Sequence, residues 1–171
     1  DALAALGLRC GDRILVSMPT SPQGIIAFYA TNKLGAVPAM IHPLSAGPEI
    51  ERYLDASGAR IALTLDAFYG VFASLRPKRP LETLILARIP DYLAPLKKFG
   101  FWLTKGRKIR RVPADARVRW WADLIEAPHP AVSRAVTTTD GPAAILFSGG
   151  TTGVPKGILL SNRNFIAEGM Q

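Results

Sequence analysis

The sequence predicts an α/β chain built on a parallel sheet, and three observations carry that expectation. Short apolar, β-branched runs alternate with helix-length segments at the spacing of βαβ units. Of the 171 residues, 49% are hydrophobic and 20% charged, enough apolar side chain to bury a core and far from the composition of a disordered chain. One cysteine leaves no internal disulfide framework and fits a reducing, cytoplasmic setting.

The elements follow in order. Arg13 to Met18 is an apolar run between Gly11 and Pro19 that reads as a buried strand. Ser21-Pro22 is a helix start, because the serine oxygen accepts an orphan amide and the proline has no amide to leave unpaired. That helix runs to about Leu34 and stops at Gly35. Val37 to Ile41 is a second strand, which tolerates Pro38 only near an edge or a strand start. Pro48 opens a helix with Ile50, Tyr53 and Leu54 on one face, closed by Ser57-Gly58. Arg60 to Leu65 is a third strand, Ala67 to Leu75 a short helix, and Thr83 to Ala87 a fourth strand.

From Ile89 to Val118 the pattern degrades under Pro90, Pro95, Gly100, Gly106 and Pro113, and no long helix is expected there. Trp120 to Ile125 reads as a packing helix, and residues 127–142 as a polar, proline-marked linker. The chain thus divides into a βαβ region (1–88), a basic, insertion-like segment (89–119), a helix with linker (120–142), and a hairpin with the start of a helix (143–171). Asp1 is followed by no signal-peptide pattern, and the longest apolar run, Ile25 to Ala30, has six residues where a membrane span needs about 20. No transmembrane segment is expected, and both ends read as cuts through a larger polypeptide.

The formal charge of +8 is local. Residues 76–119 hold 13 Lys+Arg against three acids (Glu82, Asp91, Asp115), and the rest of the chain is slightly acidic. Leu96 to Arg111 mixes Phe99, Phe101 and Trp102 with seven basic residues. That mixture fits a peripheral membrane contact, a phosphate-contacting nucleic-acid surface, or a solvated loop with packed aromatics; nucleic acid is the least favoured of the three. His42 before Pro43, His129 between prolines, and Cys10 beside Gly11 have no evident partners, and no cluster has metal-ligand spacing.

The chemistry concentrates where Ala143 to Phe147, an apolar strand, runs into Ser148-Gly-Gly-Thr-Thr-Gly-Val-Pro-Lys-Gly157. Glycines free the backbone to turn amides to one side, Ser148, Thr151 and Thr152 add hydroxyls, and Lys156 adds a mobile cation. Such a set suits a polyphosphate. The spacing is not that of a Walker A loop, since Lys156 is followed by Gly157, and Ile158-Leu-Leu160 reads as a strand rather than a helix. Ser161 or Asn162 caps the helix after it.

Phe147 to Gly157 resembles the AMP-binding signature of the adenylate-forming superfamily, which includes acyl-CoA synthetases, peptide-synthetase adenylation domains and luciferases. Gly35-Ala-Val37, Pro43, Glu49 and Leu54-Asp-Ala-Ser-Gly-Ala59 resemble the stretch that precedes it, with residues 91–119 the weakest match. Gly149-Gly150 and Ser161-Asn-Arg-Asn-Phe165 are similar to fatty acyl-CoA synthetases. The resemblance implies part of the large N-terminal α/β domain of an enzyme that converts a carboxylic acid and ATP to an acyl adenylate, then to a thioester with CoA. It implies a phosphate site at Ser148, Gly149, Gly150, Thr151, Thr152, Gly153 and Lys156, with Thr151 helping to place the Mg²⁺ that accompanies ATP. Other catalytic parts of the family lie beyond the signature, so the 171 residues alone are expected to be inactive. Two alternatives stand: an adenylation domain that loads an amino or aryl acid onto a carrier protein, and a non-catalytic lipid- or nucleotide-binding module.

Overall fold

The computed structural model describes residues 1–171 except 79, 105, 107, 108, 110 and 149–155. Its centre is a seven-stranded sheet in the order β5-β4-β3-β1-β2-β6-β7. The strands are β1 (Arg13–Ser17), β2 (Val37–Met40), β3 (Ile61–Leu65), β4 (Thr83–Ala87), β5 (Val118–Trp120), β6 (Pro142–Ser148) and β7 (Lys156–Ser161). All neighbours pair in parallel except β6 and β7, which form an antiparallel hairpin. Strands covered on both faces need continuous apolar runs, which is why β1, β3 and β4 were legible as such.

From β1 the chain steps outward to β2, then back across β1 to β3. Right-handed crossovers in opposite directions put their helices on opposite faces of the sheet. Accordingly α2 (Pro22–Lys33) contributes Ala27 to a core with Ile14, Val16, Leu63 and Ile85, and α3 (Gly47–Ser57) contributes Ile50 and Leu54 to a core with Leu15, Ala62, Leu84 and Leu86. The alternation along each strand sorts its residues between the two. A short α1 (Ala2–Ala5) and α6 (Trp121–Glu126) join the first layer through Leu3 and Trp121, and α4 (Tyr69–Ser74) joins the second through Phe72.

The helix signals act as expected. Ser21 Oγ accepts the Gly24 amide at 3.3 Å, and Glu49 Oε2 accepts the Ala46 amide at 3.1 Å in front of Pro48. Gly58 closes α3 at φ 65°, where any other residue would be strained. Pro38 sits at the second position of β2, an interior strand rather than an edge. The Val37 and Ile41 amides donate to Asp12 and Val16 on the β1 side, so position 38 faces β6, whose pairing begins only at Ala39. A proline there forfeits no ladder bond.

The degraded segment departs from expectation. Where no long helix was anticipated, Pro95–Thr104 forms the ten-residue α5. Pro95 is its first residue, a position where the missing amide costs nothing, and one interior glycine costs only about 1 kcal/mol. β5 and α1, at three and four residues, went unforeseen because neither is long enough to show a period. Residues 127–142 are irregular up to β6 but pinned: the Ala135 amide donates to Lys33 O at 3.0 Å, and the Val132 amide to Asp1 Oδ1 at 3.0 Å. No helix among the described residues is long and apolar enough to cross a membrane.

Candidate functional site

The β6–β7 hairpin builds the candidate site. β6 leaves the buried pair Ala143 and Ala144 and ends at Ser148, directly opposite Lys156 at the start of β7. Ser148 Oγ stands 3.5 Å from Lys156 O, so the two ends of the glycine-rich loop are held together at the carboxyl end of β6. Because β1, β2, β3 and β4 run parallel to β6, this is the end of the sheet at which they also finish. The other residues expected in the loop, Gly149, Gly150, Thr151, Thr152 and Gly153, lie outside the described residues.

Two anchors fix this hairpin. At its mouth the Phe147 ring packs on Tyr53 of α3 with centroids 4.4 Å apart. Across the ladder Phe147 faces Gly157, where a Cβ would stand 3.4 Å from the ring and 3.3 Å from Ile145 Cγ2. At its base, α7 (Asn162–Gly169) starts under a reciprocal cap, Ser161 Oγ accepting the Asn164 amide and Asn164 Oδ1 accepting the Ser161 amide. The Asn162 amide donates to Gly141 O at 3.0 Å, the Arg163 amide to Thr139 O at 2.8 Å, and the Arg163 guanidinium pairs with Asp140 at 3.0 Å. Ser161 to Arg163 therefore clasp the entry to β6. Phe165 meets Phe28 of α2 with ring centroids 5.5 Å apart.

A second feature of the same edge escaped the sequence. The strand order reverses between β1 and β3, and doubly wound sheets place ligands at such a reversal. Here Ser17 and Thr64, the polar residues at the ends of otherwise apolar strands, are register partners and fully buried. Among the described residues, Ser17 Oγ, Thr64 Oγ1 and Asp66 Oδ1 find no hydrogen-bond partner. Burial raises the pKa of Asp66, an effect partly relieved by the Ala67 amide and by Arg88. A cavity of about 550 Å³ opens beside it, lined by Asp66, Arg88, Lys98, Phe101, Trp102 and Trp120 among others, with the Arg88 guanidinium 3.9 Å above the Trp120 ring.

The histidines and the cysteine make separate contacts. His42 is exposed and accepts the Leu44 amide at Nδ1 (3.2 Å), His129 Nε2 lies 2.9 Å from Leu124 O, and Cys10 is exposed beside Gly35. Among the described residues no group of three or more His, Cys, Asp or Glu comes together as a metal site.

Helices on both faces, a strand order that reverses at β1, and a glycine-rich loop leaving the carboxyl end of β6 define a doubly wound α/β protein whose ligand-facing loops share one edge. The family model for AMP-binding enzymes matches residues 1–171, and the chain belongs to that family. It is 26% identical over 164 residues to the long-chain-fatty-acid–CoA ligase of Bacillus subtilis, covering 94% of this chain and 29% of that one. It is also 26% identical over 166 residues to 4-coumarate–CoA ligase 2 of Oryza sativa subsp. japonica, covering 97% and 27%. The fold superposes on anthranilate CoA ligase AuaEII, solved in complex with anthranoyl-AMP, with TM-score 0.77 and 23% identity over 99% of this chain and 28% of that one. The chain thus spans under a third of the length of these relatives.

Proposed function

We propose that the full-length protein is an AMP-forming acid–thiol ligase acting on a fatty acid. A carboxylate oxygen attacks the α-phosphorus of ATP and expels pyrophosphate; the CoA thiol then attacks the acyl carbonyl, expels AMP and leaves a thioester, its proton passing to solvent. Family membership supports the reaction class. The likeness to a fatty-acid–CoA ligase, together with Gly149-Gly150 and Ser161 to Phe165, supports the substrate, although the similarity to a coumarate ligase is as high in identity.

The observation that carries the site is the pairing of Ser148 with Lys156 across the mouth of an anchored hairpin. Ser148 would offer a hydroxyl and Lys156 an ammonium from the two facing ends of the loop, on which the β- and γ-phosphates of ATP would rest, and Gly149, Gly150, Thr151, Thr152 and Gly153 would complete the cradle. Thr151 would offer its hydroxyl to the magnesium ion that accompanies the nucleotide, and the ion would supply charge neutralisation on the leaving pyrophosphate. Lys156 lowers the repulsion between the carboxylate and the phosphates, an effect that grows as charge moves onto the leaving group. The 171 residues alone do not turn over. The full-length protein works in the reducing cytoplasm, where the exposed Cys10 stays a thiol.

The test is acid-dependent pyrophosphate release by the full-length protein, followed by chromatography of the CoA products, over fatty, aryl and amino acids. Fatty acids should give the highest kcat/KM, and Lys156→Ala should lower kcat by about a hundredfold without altering the melting curve. Preference for an aryl or amino acid would overturn the substrate, and an unchanged Lys156→Ala rate would overturn the site.

A further inference from the structure

The cavity of about 550 Å³ at the carboxyl edge is framed by three strand ends. Asp66 follows β3, Arg88 follows β4 and Trp120 ends β5, while α5 contributes Lys98 and Phe101. Its volume is that of a small-molecule site, a class that runs from about 300 to 1,000 Å³. It is separate from the glycine-rich loop: β3, β1 and β2 lie between β4 and β6, and those interstrand spacings set the two strand ends about 19 Å apart.

The charge in this cavity is unbalanced. Arg88, Lys98 and Arg111 line it against a single carboxyl, Asp66. The Arg88 guanidinium lies over the Trp120 ring and in the field of Asp66, but it donates no hydrogen bond to a described residue. Among the described residues, no hydrogen bond or ion pair engages Lys98 Nζ or the Arg111 guanidinium. Elsewhere the fold matches cations with carboxylates, Arg60 with Glu82, Arg117 with Asp115 and Arg163 with Asp140. Three cations sharing one concavity repel each other and focus a positive potential, which an anion relieves.

We propose that this cavity binds a ring-bearing phosphate monoester the size of a mononucleotide, its phosphate on Arg88, Lys98 and Arg111 and its ring against Phe101 and the Arg88–Trp120 stack. A phosphate fits better than a carboxylate because its two negative charges match three cations less one carboxylate. The edge of a stacked guanidinium is also preset to hold two phosphate oxygens at once. A flat ring fits better than an alkyl chain because it stacks on aromatic side chains and on guanidinium planes. The inference stands independently of which acid the enzyme activates and of the loop at Ser148 and Lys156.

Isothermal titration calorimetry of the full-length protein with AMP tests it, with adenosine, inorganic phosphate and adenosine 3′,5′-bisphosphate titrated alongside. Arg88→Gln with Arg111→Gln should weaken a component of AMP binding by at least about tenfold while far-ultraviolet circular dichroism stays unchanged. Lys98→Gln with Arg111→Gln, which leaves the Arg88–Trp120 stack in place, should weaken the same component, so that loss of charge is told from damage to the stack. Lys156→Ala should leave that component intact, which keeps a failure of the loop reading distinct from a failure of this one. At the cavity, adenosine and inorganic phosphate should each bind at least about tenfold more weakly than AMP. Tighter cavity binding of adenosine 3′,5′-bisphosphate than of AMP would make the occupant the nucleotide end of CoA, and the reverse a free mononucleotide; both support the site. The proposal is overturned if either double variant titrates as the parent does, if Lys156→Ala alone removes the component, or if adenosine or inorganic phosphate binds there as tightly as AMP.

Discussion

Asp115 accepts four hydrogen bonds, from the amide, Nε and Nη2 of Arg117 at 2.8 to 3.1 Å and from the Tyr69 hydroxyl at 3.1 Å. They tie the stretch that leads into β5 to helix α4. The Arg117 side chain, then its amide, hold the carboxyl well below the usual carboxylate range; the hydrogen bond to Asp115 pushes the Arg117 pKa up, and burial, then the Asp115 contact, pushes up that of Tyr69. A carboxyl depressed on folding stabilises the native state above its unfolded pKa of about 4, and that contribution is lost as pH falls through the lower native value. Asp115→Asn should therefore cost about 1 to 2 kcal/mol at neutral pH. Urea titrations at neutral pH and well below about pH 4 check the sign, because the gap between parent and variant should narrow in acid. Asp66 works the other way: burial raises its pKa, so its ionisation weakens the fold as pH rises. Gly35 shows a different kind of constraint. It has φ 72°, and a Cβ would come within 2.8 Å of Ala135 Cβ and Cys10 Sγ, so it lets the irregular 127–142 stretch cross the α2–β2 turn.

The β6–β7 hairpin is positioned chiefly by the Phe147 ring, wedged between Tyr53 and the bare backbone at Gly157. Phe147→Ala would open both contacts and lower stability by about 2 kcal/mol, less than a fully buried phenylalanine because Phe147 is only partly covered. If Lys156 meets the phosphates of ATP, the same change should raise the KM for ATP, with Phe147→Leu intermediate in both. A KM unmoved by a destabilising Phe147→Ala would separate the anchor from the site. This hairpin was also among the most legible parts of the sequence, since an apolar strand running into glycines, hydroxyls and a lysine has few other uses. Buried strands and capped helices were legible for related reasons: β1, β3 and β4 need unbroken apolar runs, and Ser21-Pro22 and Glu49 act within one turn. Helix α5 was hidden because Pro95 and Gly100 act as breakers in most contexts and its apolar stripe faces outward. The buried hydroxyls of Ser17 and Thr64 were hidden because their juxtaposition depends on β3 pairing with β1, which follows from the crossover rather than from any local pattern.

The two edges of the sheet are not alike. β5 has three residues, carries Arg119 and is too short to recruit another strand. β7 has six, and Ile158 and Leu159 are exposed on it, with the exposed Leu146 of β6 opposite Ile158. A long apolar edge is the type that monomeric proteins cover or interrupt with charge. The relatives are more than three times as long as this chain, which leaves ample polypeptide to cover β7 in the full-length protein. The 171-residue polypeptide on its own should therefore self-associate through β7, and Leu159→Lys should restore the monomer because a lysine on the edge disfavours strand addition. Sedimentation velocity over a range of concentrations measures this, with circular dichroism to show that the helices persist. In the full-length protein the same lysine should instead lower the melting temperature, since it would sit against whatever covers the edge. A polypeptide that stays monomeric without the lysine, or a full-length protein indifferent to it, would mean that β7 is an open edge in its own right.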